Sequence, residues 1–413
     1  MHTPCIAPVW ASIAPSTPIN PMQIPGVFPS YEGHGLLNLI SSCLSARGGR
    51  PLHPGLSCAN LSALAPARNV VLLIIDGLGY NYLSRHTGSA LHSKLAARMT
   101  SVFPSTTASA ITTTFTGLSP AEHGLTGWYA WFPEAGESGS VVAPLPFKLR
   151  NDARSPTQCG IEATSIYAGA PMFDGLGTQS LIVSPRDIID SGYNVHYCGS
   201  AQRLPYSGID GLVAQTEAAV KSGAGRKFVY AYTPEFDACA HRHGVISART
   251  EAVFASLDAA FDSLLKRLSG TDTALVVTAD HGFIDSPAEH ALDLADSGGL
   301  ADLLRLPLTG ERRAAFCHVL PGREREFAER AAEWLEGRAD VVPGSALVEA
   351  GYFGGANRRH PHLRDRAGDF ALLMREDWTV KDWLPGEPRV MHIGNHGGLS
   401  PDEMYIPLVL AEL

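Results

Sequence analysis

Acidic and imidazole side chains gather where apolar runs of this chain stop. Asp76 closes the run Val-Val-Leu-Leu-Ile-Ile and is followed by Gly77, and Asp280-His281-Gly282 closes Ala-Leu-Val-Val-Thr-Ala. Asp237 follows Phe-Val-Tyr-Ala-Tyr, with His241 at the i+4 position. If that stretch is helical, both side chains share one face. His396 lies among small neighbours in Gly394-Asn395-His396-Gly397-Gly398. Taken singly, each has a plain reading: Asp-Gly after a strand is usually a turn, Asp-x-x-x-His is commonly a surface or capping pair, and His396 could be a loop histidine. Together they form an N/O donor set suited to Zn²⁺ or Mn²⁺, with enough ligands for two ions. Cys239, between Asp237 and His241, would face away and reads as packing. His243, His290, His360 and His362 are reserve candidates of structural or substrate-facing character.

A hydroxyl-rich stretch is the remaining chemical signal. Phe103-Pro104-Ser105-Thr106-Thr107-Ala108-Ser109-Ala110 runs into Ile111-Thr112-Thr113-Thr114-Phe115-Thr116-Gly117. Pro104 ends the preceding element, and a hydroxyl residue ahead of a helical run is an N-cap signature. One reading is a capped, Thr-rich core helix. The other puts a hydroxyl nucleophile at a helix N-terminus, where free N–H groups and the dipole favour phosphate. Threonine needs activation to attack, and a neighbouring metal site would supply it.

These groups need a scaffold that brings distant segments to one rim. Nearly continuous apolar runs at Asn69–Ile75, Thr164–Ala168, Ser180–Val183, Lys227–Tyr232, Ala274–Thr278 and Tyr405–Leu410 are expected as strands buried on both faces. Helical patterns at Gly211–Lys221 and Ser247–Leu268 separate some of them, which predicts an α/β sandwich with a mostly parallel sheet. Ligands of such sheets bind outside the carboxyl ends of the strands. Between Thr278 and Gly394 the texture changes, with strand-like Ala314–Leu320, a charged helix Arg323–Gly337, then strand-like Ala346–Phe353 and Gly368–Met374. The expected organisation is a catalytic core over 69–284 and 388–413, with a small α+β cap insertion over 285–387. Residues 1–68 are expected to form an extended N-terminal arm and packing segment. The first 46 residues contain no Lys or Arg and are broken by seven prolines.

With 413 residues, 45% hydrophobic and 18% charged, the chain has the profile of a folded globular protein. The 32 basic and 41 acidic residues give a net charge of −9, which argues against a nucleic-acid-binding surface. It leaves phosphate substrates open, because a metal supplies positive charge locally. No apolar run approaches the ~20 residues that span a bilayer, so no membrane association is expected. Seven scattered cysteines without a C-x-x-C pair favour reduced thiols and a cytoplasmic location, with the periplasm as the alternative. Oligomeric state is not readable.

The order of motifs resembles one superfamily. Asp76-Gly77, Phe103-Pro104-Ser105-Thr106-Thr107, Thr116-Gly117-Leu118-Ser119-Pro120-Ala121-Glu122-His123-Gly124, Asp237-x-x-x-His241, Asp280-His281-Gly282 and Asn395-His396-Gly397 are similar to those of the alkaline phosphatase superfamily, in its type I phosphodiesterase/nucleotide pyrophosphatase branch. The resemblance spans roughly residues 69 to 410. It implies an alkaline-phosphatase-like three-layer sandwich with a capping insertion and two divalent ions, Zn²⁺ first and Mn²⁺ as the alternative. One ion would be held by Asp237, His241 and His396, the other by Asp76, Asp280 and His281 with the Thr107 oxygen. The family nucleophile falls on Thr107 rather than Thr106, and would pass through a covalent phospho-threonine. Two metals can clamp the entering and leaving oxygens of an in-line displacement.

Two departures limit what carries over. The family's phosphate-contacting Asn position is Trp128 here, and its Phe-Pro-Asn-His-Tyr segment is replaced by Ala108-Ser109-Ala110-Ile111-Thr112. Nucleotide-base specificity is therefore not implied, and the oxyanion stabiliser becomes a backbone N–H near Thr107 or a side chain such as Tyr129. No C-x-P-x-R segment is present, which argues against the sulfatase branch. The leading expectation is a hydrolase of phosphodiester or pyrophosphate bonds acting on a small phosphorylated substrate. The alternatives are a phosphonate hydrolase such as phosphonoacetate hydrolase, a phosphomonoesterase, and an inactive metal- or phosphate-binding protein. The pocket around Trp128, Tyr129 and Trp131 would decide among the activities.

Overall fold

The computed structural model describes residues 24–150, 152 and 154–413. Residues 1–23 of the arm and packing segment expected over 1–68 lie outside them, Cys5 included. Residues 36–46 correct the extended-arm expectation: Leu36–Ala46 is a helix whose Leu36, Leu37, Leu39 and Ile40 are fully buried. No proline falls between Pro29 and Pro51, so a Leu-Leu-Asn-Leu-Ile pattern is free to wind and bury one face.

Six strands of the main sheet come first along the chain: β1 (Asn69–Ile75), β2 (Leu95–Thr100), β3 (Gln179–Pro185), β4 (Gln202–Tyr206), β5 (Lys227–Thr233) and β6 (Thr273–Thr278). The four short strands of a second sheet are β7 (Thr309–Gly310), β8 (Ala314–Cys317), β9 (Ala339–Pro343) and β10 (Phe370–Met374), and the main sheet is completed by β11 (Tyr405–Glu412). The main sheet has the order β2-β11-β6-β1-β5-β3-β4. β6, β1, β5, β3 and β4 pair in parallel, and β11 runs antiparallel to both β6 and β2. β1 and β6 are buried at every position, which only apolar residues tolerate without polar partners. Helices complete a three-layer α/β sandwich. Tyr230 of β5 reaches the Thr114 hydroxyl (2.8 Å) in helix Thr107–Thr116, while helices Gly208–Lys221 and Ala248–Arg267 pack on each other and on the sheet region.

The strand expected at Thr164–Ala168 is instead a short helix, Ala163–Ile166, followed by loop. Ile166 and Tyr167 bury their side chains, but no neighbouring strand offers them a ladder. Ala346–Phe353 is likewise not a strand. Helix Gly344–Glu349 occupies its start, in keeping with the helix preference of Ala, Leu and Glu.

A second sheet, β7-β8-β10-β9, is fully antiparallel. Its side chains alternate with the period of two. Phe316, Ala371 and Leu373 face a cluster that includes Phe103 and Met404, so this sheet is anchored to the main unit beside the Pro104 loop. Cys317, Leu372 and Met374 face the other way, onto Phe327 and Ala331 of helix Glu324–Trp334. The six described cysteines are unpaired, and no helix among the described residues is long and apolar enough to cross a membrane.

Candidate active site

Parallel register brings the acidic groups together. Ile75 of β1 is level with Thr233 of β5, and Ile74 with Thr278 of β6, so the residues just beyond three adjacent strands share one rim. Asp76 follows β1 directly, and Asp280 and His281 follow β6. Asp237 stands in the first turn of helix Glu235–His243 after β5, where i+4 spacing sets His241 Nε2 3.3 Å from Asp237 Oδ1. Gly77 must be glycine: its φ is +76°, and a Cβ there would lie 2.4 Å from the Phe283 ring.

Two trios result, Asp237/His241/His396 and Asp76/Asp280/His281. His241 Nε2 and His396 Nε2 are 3.2 Å apart, and His396 Nε2 is 3.8 Å from Asp237 Oδ1. His281 Nε2 lies 3.3 Å from Asp76 Oδ1 and 3.4 Å from Asp280 Oδ2. The His281 and His396 rings stack at 3.8 Å and so join the trios. Each histidine turns Nδ1 to a backbone carbonyl: His241 to Gly394 (2.9 Å), His281 to Gly282 (3.0 Å) and His396 to Ser105 (3.2 Å). Donation from Nδ1–H leaves the Nε2 lone pairs directed into the trios, the arrangement that metal-ligating imidazoles use.

The donor set fits two cations on grounds internal to the fold. Asp76 Oδ1, Asp237 Oδ1 and Asp280 Oδ2 are buried and have no hydrogen-bond partner, which a folded chain rarely leaves uncompensated. Their sister oxygens are occupied where the structure supplies donors: Tyr232 donates its hydroxyl to Asp76, and the Gly77 and His281 N–H groups donate to Asp280 Oδ1 at 3.0 Å each. Ligands about 2.0–2.2 Å from one tetrahedral ion stand about 3.3–3.6 Å apart, close to the separations within each trio.

Electrostatics separate the two groups. Burial, then the charges of Asp280 and Asp237, push Asp76 well above the ordinary carboxylate range, and burial also raises Asp280. Burial works against the charge on Asp237 as well, yet His241 beside it holds its carboxyl below the usual value. Burial and the neighbouring His281 and His241 push His396 well down, favouring a neutral imidazole.

Thr107 is the first residue of its helix, and its Oγ1 is 3.2 Å from His281 Nε2. Thr106 is the N-cap by backbone geometry, but its hydroxyl does not cap the helix; it donates to Glu311 Oε1 at 2.5 Å. The two adjacent threonines are thus distinguished, one facing the inner trio and one facing a carboxylate. The rest of the Thr run is structural: Thr112 bonds Ala108 O and Tyr193, and Thr116 bonds Thr112 O.

A cavity of about 430 Å³ opens over Thr107, Asp237, His241 and His396. Trp128 and Tyr129 line it, but Trp131 does not; Tyr129 lies under the Arg150 guanidinium at 4.6 Å. The reserve histidines join neither trio. His243 meets Arg249, His290 pairs with Asp377, and His360 and His362 neighbour each other. Cys239 accepts a contact from Thr250 Oγ1 at 3.6 Å, outside both trios. Several cavity residues had no sequence signal, among them Glu311, Arg312, Lys381 and His392. They come from segments whose patterns speak only of short strands and loops. His392 packs its ring 4.4 Å from that of His241, and burial with the nearby His241 and Arg312 charges lowers its pKa to about 3.

Comparison with known proteins identifies the family. Residues 70–399 match the family model described as type I phosphodiesterase/nucleotide pyrophosphatase. No match is found among curated proteins. Among solved structures, murine ectonucleotide pyrophosphatase/phosphodiesterase 5 is similar in fold, with 19% identity, coverage of 82% of this chain and 87% of that one, and a TM-score of 0.62. Phosphonoacetate hydrolase from Sinorhizobium meliloti 1021, in complex with phosphonoformate, is similar with 18% identity, coverage of 83% and 90%, and a TM-score of 0.57. The chain belongs to the type I phosphodiesterase/nucleotide pyrophosphatase family of the alkaline phosphatase superfamily, and is with that membership a metal-dependent hydrolase of phosphoric esters.

Proposed function

We propose that the chain cleaves phosphodiester or pyrophosphate bonds of a small substrate, with Thr107 as nucleophile and two divalent ions held by the two trios. The observation that carries this reading is the set of three partnerless carboxylate oxygens grouped with three inward-facing Nε2 atoms beside Thr107. Asp237, His241 and His396 would hold one ion; Asp76, Asp280, His281 and the Thr107 oxygen would hold the other. Bound ions would supply Lewis acidity and neutralise charge on the entering and leaving oxygens. Zn²⁺ suits these N/O donors, with Mn²⁺ as the alternative.

The chain's own groups do the positioning. Thr107 presents its oxygen at a helix N-terminus, where free N–H groups favour an anionic phosphoryl group. Tyr232 and the Gly77 N–H fix the inner carboxylates, so their unpaired oxygens cannot rotate away. Attack by Thr107 Oγ1 forms a phosphothreonine and releases the alcohol or phosphate leaving group; water then hydrolyses that ester and restores the hydroxyl. The murine neighbour described as inactive carries a threonine-to-alanine change and was solved in complex with AMP, which supports a threonine nucleophile.

A second reading, phosphonate hydrolysis, is favoured by Arg312 and Lys381, which line the same cavity and suit a substrate carrying a further anion. Thr107→Ala separates the mechanism from mere binding. Hydrolysis of bis(p-nitrophenyl) phosphate should fall by about 10³-fold or more, while about two ions per chain and the fold are kept. Undiminished turnover would move the nucleophile away from Thr107.

A further inference from the structure

The hairpin between β7 and β8 delivers a carboxylate to the reacting end of the cavity. Its tip, Gly310-Glu311-Arg312-Arg313, is closed by the Glu311 N–H donating to Ala314 O at 2.9 Å. Glu311 Oε1 accepts both the Thr106 hydroxyl (2.5 Å) and the Trp128 N–H (2.8 Å). On its other side Glu311 packs on Gly397, where a Cβ would stand 2.5 Å from the Glu311 Cβ and where φ is +110°. Glu311 is therefore wedged between the residue before Thr107 and the residue after His396, with its carboxylate held by the Trp128 backbone. Glu311 lines the cavity together with Thr107.

The tip is not free to swing aside. Arg313 is buried and makes two bonds to Glu403, Nε to Oε1 at 3.2 Å and Nη2 to Oε2 at 3.0 Å. The same Glu403 Oε1 accepts the Gly398 N–H at 2.8 Å. One carboxylate thus fixes both the tip that carries Glu311 and the loop that carries His396.

Resting on the reading of Thr107 as nucleophile, we propose that Glu311 is a specificity-determining residue that selects phosphoryl groups carrying one negative charge over those carrying two. Diesters and phosphonate monoesters leave one ionised oxygen on phosphorus; monoesters and free phosphonates near neutral pH leave about two. A fixed carboxylate facing that group repels the second charge, and placing a like charge against the wrong ligand is an effective means of discrimination. Burial holds Glu311 above an ordinary glutamate, opposed only in part by the Thr106 and Trp128 donors and the nearby His241 and His281.

The test is Glu311→Gln, which keeps an acceptor for Thr106 and Trp128 and removes only the charge. On metal-loaded protein, kcat/KM for p-nitrophenyl phosphate relative to bis(p-nitrophenyl) phosphate should rise about tenfold or more, and calorimetric binding of phenylphosphonate relative to its monomethyl ester should shift by a similar factor. An unchanged ratio in both measurements overturns the proposal. If wild type cleaves neither ester, the phosphoesterase reading falls, and the two binding ratios still decide the role of Glu311. If the variant does not fold, wild type alone decides: the monomethyl ester should bind at least about tenfold tighter than phenylphosphonate, and equal or reversed affinities sink the idea.

Discussion

The strand-end rim and the cap use charge in opposite ways. On the rim, three buried carboxylate oxygens have no donor, and the inner trio is at most 2% exposed. Around the cap, charges are matched: Arg150 bonds Asp382 and Glu387, Arg375 bonds Asp340, and Arg313 bonds Glu403. Paired charges hold a shape, whereas unpaired buried oxygens must be satisfied from outside the chain. The difference teaches where chemistry sits before any ligand is seen.

Breaking the comparison at its strongest point means exchanging one carboxylate from each side. Asp280→Asn should lower diester turnover on the order of 10³-fold, and Asp382→Asn by less than about tenfold; similar losses in steady-state kinetics would erase the distinction. Glu403→Gln attacks the link between the two regions. It leaves Arg313 buried without its ion partner, and denaturant titration should show a loss of about 3–5 kcal/mol, with little change if the pair is dispensable.

Within the rim the two trios differ in access. His241 and Asp237 side chains are 22% and 17% exposed, against 0–2% for the inner group. Dialysis against a chelator should therefore remove metal in two phases, the Asp237/His241/His396 ion first, as followed by metal analysis; a single phase would make the trios equivalent. The smallest effect concerns pH. Burial lowers His123, in the main unit, and His318, in the second sheet region, to about 3. Both are depressed below the unfolded value of about 6.5, so the unfolded chain binds protons that the folded chain refuses. Stability should be whole above about pH 6.5 and fall toward pH 3, by up to about 1.4 kcal/mol per pH unit for each histidine. Thermal melts of His123→Gln should show a shallower slope; the wild-type slope would mean that His123 does not contribute.

Much of the main unit was legible because its strands are buried on both faces. β1, β5, β6 and β11 are apolar runs that turn polar only at their ends, and five of the six acid and imidazole groups sought lie just past such ends or four residues along a helix from one. β2 escaped because it alternates exposed and part-buried residues before its last turn inward, and β4 because Gln202-Arg203 opens it in a polar register. The Leu36–Ala46 helix was hidden by the prolines ahead of it. Glu311 could not be read at all: its significance comes from packing on Thr106, Trp128 and Gly397, contacts between segments far apart in the chain that leave no local pattern.

The antiparallel strand β11 has a consequence for how the molecule is made. It lies inside the sheet, setting Tyr405 against Thr100 and Leu408 against Thr278, residues far removed in sequence. Such long-range pairing is slow to find. Until it is found, β2 and β6 each carry an open edge, an invitation for another molecule's strand. His396 and Glu403 approach the rim on the same late segment, so a cation held by the outer trio would be captured only once that segment is in place. Refolding losses should accordingly grow with protein concentration, and added Zn²⁺ should protect the completed molecule without hastening its completion.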